Sequence, residues 1–157
     1  MIARPVRSAI AFFCESIREE KRGGTSYIGQ MPVNLNLAPS SSDPPERIVS
    51  LVPSLGIVVL INVPVDDPVG KIAVRGRGDW RDAISFDHGI EADTIRAEQS
   101  VARAQANQFV SFWMKIELSP FPAAPGRFEI VVGFDDDERL AGELFYRSAP
   151  PQSVATG

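Results

Sequence analysis

The sequence predicts a mainly β protein, an antiparallel β-sandwich of the immunoglobulin-like or C2-like type. Along residues 109–118 and 127–134, apolar side chains alternate with polar ones, which is the period of a strand with one buried face. Residues 57–63 form a β-branched run, which indicates a central strand covered on both faces. The segment 91–108 is instead rich in helix-forming residues, and it predicts one helix or crossover in the sandwich.

Length, charge and cysteine content limit the classes of protein to which this chain can belong. The 157 residues predict one domain at 1–148, followed by small polar residues 149–157 that are expected to form a disordered tail. The net charge of −4 argues against nucleic acid and against an anionic membrane surface as partners. The single cysteine, Cys14, excludes an internal disulfide and favours a reducing, cytoplasmic compartment. The apolar run Ala9–Cys14 is too short for a secretory signal.

Shorter patterns predict the remaining elements. Phe13–Gly29 contains an apolar segment, a charged stretch, a Gly-Gly turn and a second apolar segment, which is typical of a hairpin at a sheet edge. Residues 39–45, Pro-Ser-Ser-Ser-Asp-Pro-Pro, have the composition of a loop. Further predicted elements are, in chain order, a strand at 71–75, a glycine-rich turn at 75–81, a short strand at 84–86 before a turn at His88, a turn at 135–137 and a strand at 139–147.

The segment 91–108 carries an apolar stripe with helical spacing, and Asp93 is its expected N-cap. An irregular crossover between the two sheets is the competing interpretation. The stripe consists of Ala92, Ile95, Gln99, Ala102, Ala106 and Phe109. The core positions predicted from the alternating strands are Val110, Phe112, Met114, Ile116, Phe128, Ile130, Val132 and Leu144.

Three motifs in the chain match a family pattern. The first is F-C-[DE]-x-I-R-x-E followed by a Gly turn and S-x-I-G, which here spans Phe13–Gly29. An apolar strand and a P-x-x-x-P turn follow at Leu51–Pro68, and P-G-x-[FY]-x-[FIV] spans Pro125–Ile130. These motifs resemble an uncharacterised family of small bacterial cytoplasmic β-sandwich proteins. The resemblance implies a β-sandwich and no catalytic residue, and the long segment 91–108 departs from the family pattern.

Trp113 is the first candidate for contact with a partner. It interrupts the polar side of the strand 109–118, so it is expected to point away from the core, with Phe109 two pleats away on the same face. Tryptophan is enriched at binding hot spots. We therefore expect this face to be covered, either by the chain's own segment 91–108, which is the favoured cover, or by a second subunit.

A second candidate contact surface is basic and aromatic. Arg75, Arg77, Trp80 and Arg81 fall in the glycine-rich segment 75–81. Basic groups beside an aromatic ring can bind phosphate or stack on a base. The alternative is a hairpin tip in which Trp80 folds against the sandwich.

The sequence also bears on ion binding and catalysis. Asp66 and Asp67 form one acidic turn and residues 135–138 form another, so a C2-like sandwich could bind calcium if both turns lay at one end. Acidic residues are also common in ordinary turns. A nucleophile at Cys14 would need His88 as its base, and the sequence does not place them together. No metal or cofactor is assigned.

These observations favour a non-enzymatic binding or scaffolding module of a bacterial cytoplasm, one that binds an unknown protein or itself. The alternative is a ligand- or calcium-binding protein that uses the acidic loops. The contact residues proposed for the first function are Trp113, Phe109, Arg75, Arg77, Trp80 and Arg81.

Overall fold

The computed structural model describes residues 5–21, 23–32, 34–37, 50–81 and 83–148. The loop predicted at 39–45 and the tail predicted at 149–157 lie outside these described residues. The elements of the described chain are β1 (Ser8–Glu19), β2 (Thr25–Gln30), β3 (Asn34–Leu37), β4 (Ser50–Val52), β5 (Leu55–Pro64), β6 (Lys71–Gly78), β7 (Phe86–Glu91), α1 (Ala92–Ala104), β8 (Phe109–Leu118), β9 (Phe121–Ala123), β10 (Gly126–Phe134) and β11 (Asp137–Ser148).

The strands form a sandwich of two main sheets. The first sheet has the order β2-β1-β5-β8, and all its pairs are antiparallel. The second has the order β3-β11-β10-β6-β7, and β4 and β9 form a separate two-stranded ribbon. The predicted mainly β sandwich is thus confirmed, with one departure. The second sheet is mixed, because β3 runs parallel to β11.

The core lies between the two sheets and is built from the strands predicted to alternate. Six of the eight predicted core residues are buried, whereas Phe112 and Met114 are half-buried. Both half-buried residues lie in the middle of β8, an edge strand of the first sheet, whereas Val110 near the start of the same strand is buried against Val65 and Ala102. The largest fully buried side chains are Phe121, Phe128, Phe134, Leu55, Ile57, Ile61, Ile72, Ile95, Ile130 and Leu144.

β5 is the central strand that its β-branched run predicts. It lies between β1 and β8, and Ile57, Val59, Ile61 and Val63 on its core side are fully buried. On its other side Val58 is also fully buried, but Leu60 and Asn62 are half-exposed. The expectation that both faces of this strand are covered therefore fails at Leu60 and Asn62.

The glycine-rich turn predicted at 75–81 is shorter than expected, because β6 continues through Gly78 and only 79–81 form the turn. A Cβ atom at Gly76 would overlap the ring of Phe86 on the neighbouring strand β7. The absence of a side chain at Gly76 therefore leaves space for the ring of Phe86 to lie against β6. A sequence pattern cannot distinguish a glycine in this role from a glycine in a turn. β7 begins at Phe86 and ends at Glu91, so His88 lies within a strand and not in the predicted turn.

The segment 91–108 is both a helix and a crossover. α1 follows β7, an edge strand of the second sheet, and leads into β8, an edge strand of the first. Its N-cap is Glu91, so the assignment of that position to Asp93 is wrong; Asp93 lies in the first turn, where a negative charge favours the helix dipole. The helix ends at Ala104, and Ala106 has a positive φ of 57° outside it.

Candidate functional site

The basic and aromatic residues proposed as one contact surface are separated by the fold. Arg75 and Arg77 lie on β6, and both are paired with carboxylates. Arg75 contacts Asp87, with its Nε 3.0 Å from Oδ2, and also Glu138; Arg77 Nε lies 3.1 Å from Glu129 Oε2. The hydrogen bond to Asp87 raises the pKa of Arg75. These two cations are therefore compensated by carboxylates of their own sheet, which weakens their attraction for a phosphate.

Trp80 packs inward, as the alternative interpretation expected. Its ring lies 6.0 Å from that of Phe121, 6.1 Å from that of Phe128 and 5.9 Å from that of Tyr146. Arg81 is exposed in the turn after β6. The described structure therefore presents no surface on which Trp80 and the arginines act together to stack and neutralise a nucleotide.

Trp113 lies on the outer face of the first sheet, as its position in the alternation predicts, and 55% of it is exposed. It is the register partner of Leu60 on β5, and Leu60 is in turn the partner of Ile10 on β1. Directly opposed residues of neighbouring strands share a face. Ile10, Leu60 and Trp113 therefore form an apolar row across three strands, and Ile10 is 58% exposed.

Further aromatic side chains extend this row toward β2. The rings of Phe12 and Tyr27 meet edge to face with centroids 5.2 Å apart, and Tyr27 is itself exposed. We use the name Trp113 face for the outer surface of the first sheet that carries Ile10, Phe12, Tyr27, Leu60 and Trp113. Sequence reasoning found only Trp113 of this set, because the pairing register of β1, β5 and β8 is not visible in the sequence.

Polar side chains border the Trp113 face at both ends. On one side, Ser8, Asn62 and Ser111 form a hydrogen-bonded row, with Ser111 Oγ donating to Asn62 Oδ1 at 2.6 Å. On the other, Lys115 Nζ donates to Glu19 Oε1 at 2.6 Å. This hydrogen bond lowers the pKa of Glu19. An apolar centre with a polar border is the usual anatomy of a protein interface.

Phe109 does not belong to the apolar row. It is register partner of Pro64 at the end of the sheet, and it lines a groove of about 580 Å³ together with Pro5, Val6 and the polar row. The two residues predicted to act together thus share a face, but the polar Ser111 separates them.

The helix does not cover the Trp113 face. The favoured prediction, that segment 91–108 covers Trp113, is therefore wrong. α1 packs on the start of β8, where Ala102 contacts the cluster of Val65 and Val110. Its buried Gln99 donates from Nε2 to the carbonyl oxygens of Pro64 (3.0 Å) and Asp67 (2.8 Å). The helix is therefore held at one end of the first sheet, and Trp113 remains exposed.

The two acidic loops do lie at the same end of the sandwich. Asp135 accepts hydrogen bonds from the N–H groups of Gly70 (3.1 Å) and Lys71 (2.8 Å), which ties the two loops together. Arg7 donates to both carboxylate oxygens of Asp67 and to the carbonyl of Phe134. This pairing lowers the pKa of Asp67 and raises that of Arg7. Within the described residues, no three His, Cys, Asp or Glu side chains form a group able to hold a metal ion.

Cys14 and His88 lie on different sheets. Cys14 is fully buried on β1, where burial, reinforced by the negative charge of Glu117, raises the pKa of its thiol. A raised pKa disfavours the thiolate that a nucleophile requires. His88 is exposed on β7 beside the ring of Phe86.

No protein-family model matches the chain, and no curated protein matches it. In the part of the chain that the structure describes, no helix is both long enough and apolar enough to cross a membrane.

Proposed function

We propose that this protein is a non-enzymatic, protein-binding module that uses the Trp113 face as its contact surface. The observation that carries the proposal is the row Ile10–Leu60–Trp113, in which the two outer members are more than half exposed. Exposed large apolar side chains are ordinary when scattered, but a contiguous group with a polar border is typical of an interaction site.

The shape of the surface favours a protein over a small ligand. Small molecules bind in concave pockets that enclose most of their surface. The apolar row lies instead across the open face of a sheet, and Trp and Tyr on such a face supply large contact areas with few rotatable bonds. The compensated arginines of β6 make a nucleic-acid partner less favourable, in agreement with the net charge of −4.

Calcium binding through the acidic loops is the second candidate, because Asp135 directly joins the two loops. It is the weaker of the two. Calcium requires several converging carboxylate oxygens, whereas Arg7 already contacts both oxygens of Asp67. A rise in melting temperature on adding Ca²⁺, but not on adding Mg²⁺, would support it, since a ligand that binds only the native state stabilises that state.

We also propose a bacterial cytoplasm as the compartment. The support is the free, buried thiol of Cys14 together with the resemblance of the sequence motifs. Fractionation of the native cells with an antibody against the chain tests this assignment, and recovery in a secreted fraction would contradict it.

A photo-activated cross-linking residue at position 113 tests the proposed surface. In the native cell it should form covalent adducts with protein, whereas the same residue at position 140, where Leu140 is 52% exposed on the second sheet, should not. Adding Leu60→Glu should abolish the adducts, because a carboxylate would then be desolvated at the centre of the contact. The proposal fails if position 113 gives no adduct or if Leu60→Glu leaves the adducts unchanged.

A further inference from the structure

We propose that the occupant of the Trp113 face is a second copy of this chain, packed sheet against sheet around a twofold axis that passes between the Leu60 side chains of the two copies. The inference rests on the proposed function, because it names the partner of the same face. Three features of the surface carry it: the absence of charge from its centre, the symmetry of the apolar row and the area of the sheet.

Self-contact requires a surface on which no like charges meet. The apolar row and the adjoining row Ser8–Asn62–Ser111 contain only uncharged side chains. Lys115, in the next row, is compensated by Glu19 at 2.6 Å. Two chains of net charge −4 repel one another through acidic surfaces, so this uncharged centre is a place where they can approach.

The apolar row is also compatible with twofold symmetry. Leu60 is its central member, with Ile10 on one side and Trp113 on the other. A twofold axis that runs parallel to β5, between the Leu60 side chains of the two copies, places Trp113 of each copy against Ile10 of the other. A large side chain then opposes a smaller one at both ends of the row, which suits two sheets stacked about 10 Å apart.

The area of the first sheet comes close to the area that a stable dimer buries. Ten residues of β5 at about 3.4 Å each and four strands about 4.8 Å apart give a projected footprint on the order of 600 Å². The accessible area of a surface with protruding side chains exceeds its projection. The accessible area of this sheet face therefore approaches the roughly 800 Å² per partner that stable interfaces remove from water.

The first test measures the mass of the full chain by size-exclusion chromatography with light scattering, from about 10 μM to about 1 mM. We expect a dimer whose dissociation constant rises at least about tenfold in Trp113→Glu and in Ile10→Glu. Leu140→Glu, which places the same charge at a similarly exposed leucine, should leave the dimer unchanged. A wild-type chain that is monomeric throughout this range overturns the inference.

A charge-pair experiment tests the twofold arrangement itself. Trp113→Lys alone and Ile10→Glu alone should each weaken the dimer, but an equimolar mixture of the two variants should associate again. In the mixed dimer, the new lysine of one copy faces the new glutamate of the other. If the mixture shows no recovery although the wild type dimerises, the twofold axis between the two copies of Leu60 is overturned.

The cross-linking experiment at position 113 separates this inference from the proposed function. An adduct of twice the chain mass supports a second copy. An adduct with a different protein that is lost in the Leu60→Glu variant supports the Trp113 face as a protein-binding surface. The same result overturns self-association. A monomeric wild type in which Trp113→Glu strongly lowers the melting temperature means that the chain itself covers the face, and then both proposals fail.

Discussion

The guanidinium of Arg7 and the carboxylate of Asp67 form a two-contact ion pair between residues 60 positions apart in the chain, with Arg7 Nη2 at 2.7 Å from Asp67 Oδ1. Arg7 precedes β1, and Asp67 lies in the loop after β5. Arg139 of β11 donates to the carbonyl oxygen of Arg7. The pair therefore ties the start of the first sheet to a loop that Asp135 ties to the second sheet.

Loss of this ion pair should lower stability in a pH-dependent way. The lowered pKa of Asp67 means that its contribution is fully present above about pH 3.8 and is lost as the pH falls through the lower folded value. We expect Asp67→Asn to lower the free energy of unfolding at pH 7 by about 1–2 kcal/mol. Urea unfolding at pH 7 and near pH 2 measures this, and the difference from wild type should shrink at the lower pH.

Asp66→Asn is the matched control for Asp67→Asn. Asp66 contacts Arg103 at 3.1 Å, but its side chain is 84% exposed, so its pair contributes little in water. An Asp66→Asn variant that is as destabilised as Asp67→Asn would contradict the special role of the Arg7 pair.

The stability lost when a core phenylalanine is truncated to alanine should depend on how deeply the side chain is buried, and not on the residue type alone. Phe128 is fully buried on β10, and Phe128→Ala should lower the free energy of unfolding by about 3–5 kcal/mol. Phe112 on β8 is only half-buried, so Phe112→Ala should cost clearly less than the full-burial value. Equilibrium denaturation of the two variants compares them directly, and equal losses would show that β8 is more deeply packed than the structure indicates.

The two sheets approach closely where Gly142 of β11 faces Ala11 of β1. A Cβ atom at position 142 would lie 2.8 Å from the backbone oxygen of Ala11. Gly142→Ala should therefore destabilise the chain by about 1–3 kcal/mol, because backbone must move to accommodate the methyl group. Thermal unfolding measures the loss. Gly24→Ala is the control, since a Cβ atom there meets only Glu20 Cβ at 3.9 Å, and a comparable loss at both positions would refute the close approach.

Tyr146 should make the protein sensitive to alkali. Burial raises its pKa to about 12, whereas an unfolded tyrosine ionises near pH 10. The contribution of this residue is therefore present below about pH 10 and is lost as the pH rises toward 12. We expect Tyr146→Phe to reduce the fall in melting temperature over that interval. An alkaline profile identical to that of wild type would contradict the burial of the phenol.

Near neutral pH, the same substitution should be harmless to stability. The Tyr146 hydroxyl has no hydrogen-bond partner among the described residues, so Tyr146→Phe removes a buried polar group at no loss of a bond. The melting temperature at pH 7 should stay the same or rise. A clear fall there would show that the hydroxyl has a partner.

The candidate site was only partly predictable. The alternation along β8 correctly placed Trp113 on the outer face, because the side-chain direction of a strand reverses at every residue. Ile10 and Leu60 are separated from it by about 100 and 50 positions, respectively, and only the pairing of β1, β5 and β8 brings the three together. The sequence contains no local signal for that register.

The sequence by itself determined the mainly β class and most of the buried positions of the alternating strands, since apolar periodicity reports burial wherever a strand has one solvent side. Tertiary structure alone decided three matters. Gly76 serves the close approach of Phe86 within a strand, the acidic loops are joined through Asp135 and face Arg7, and α1 leaves Trp113 exposed. Each of these features depends on which residues, distant in the sequence, become neighbours in the fold. Amino-acid composition and hydrophobic periodicity describe only the local surroundings of a residue along the chain.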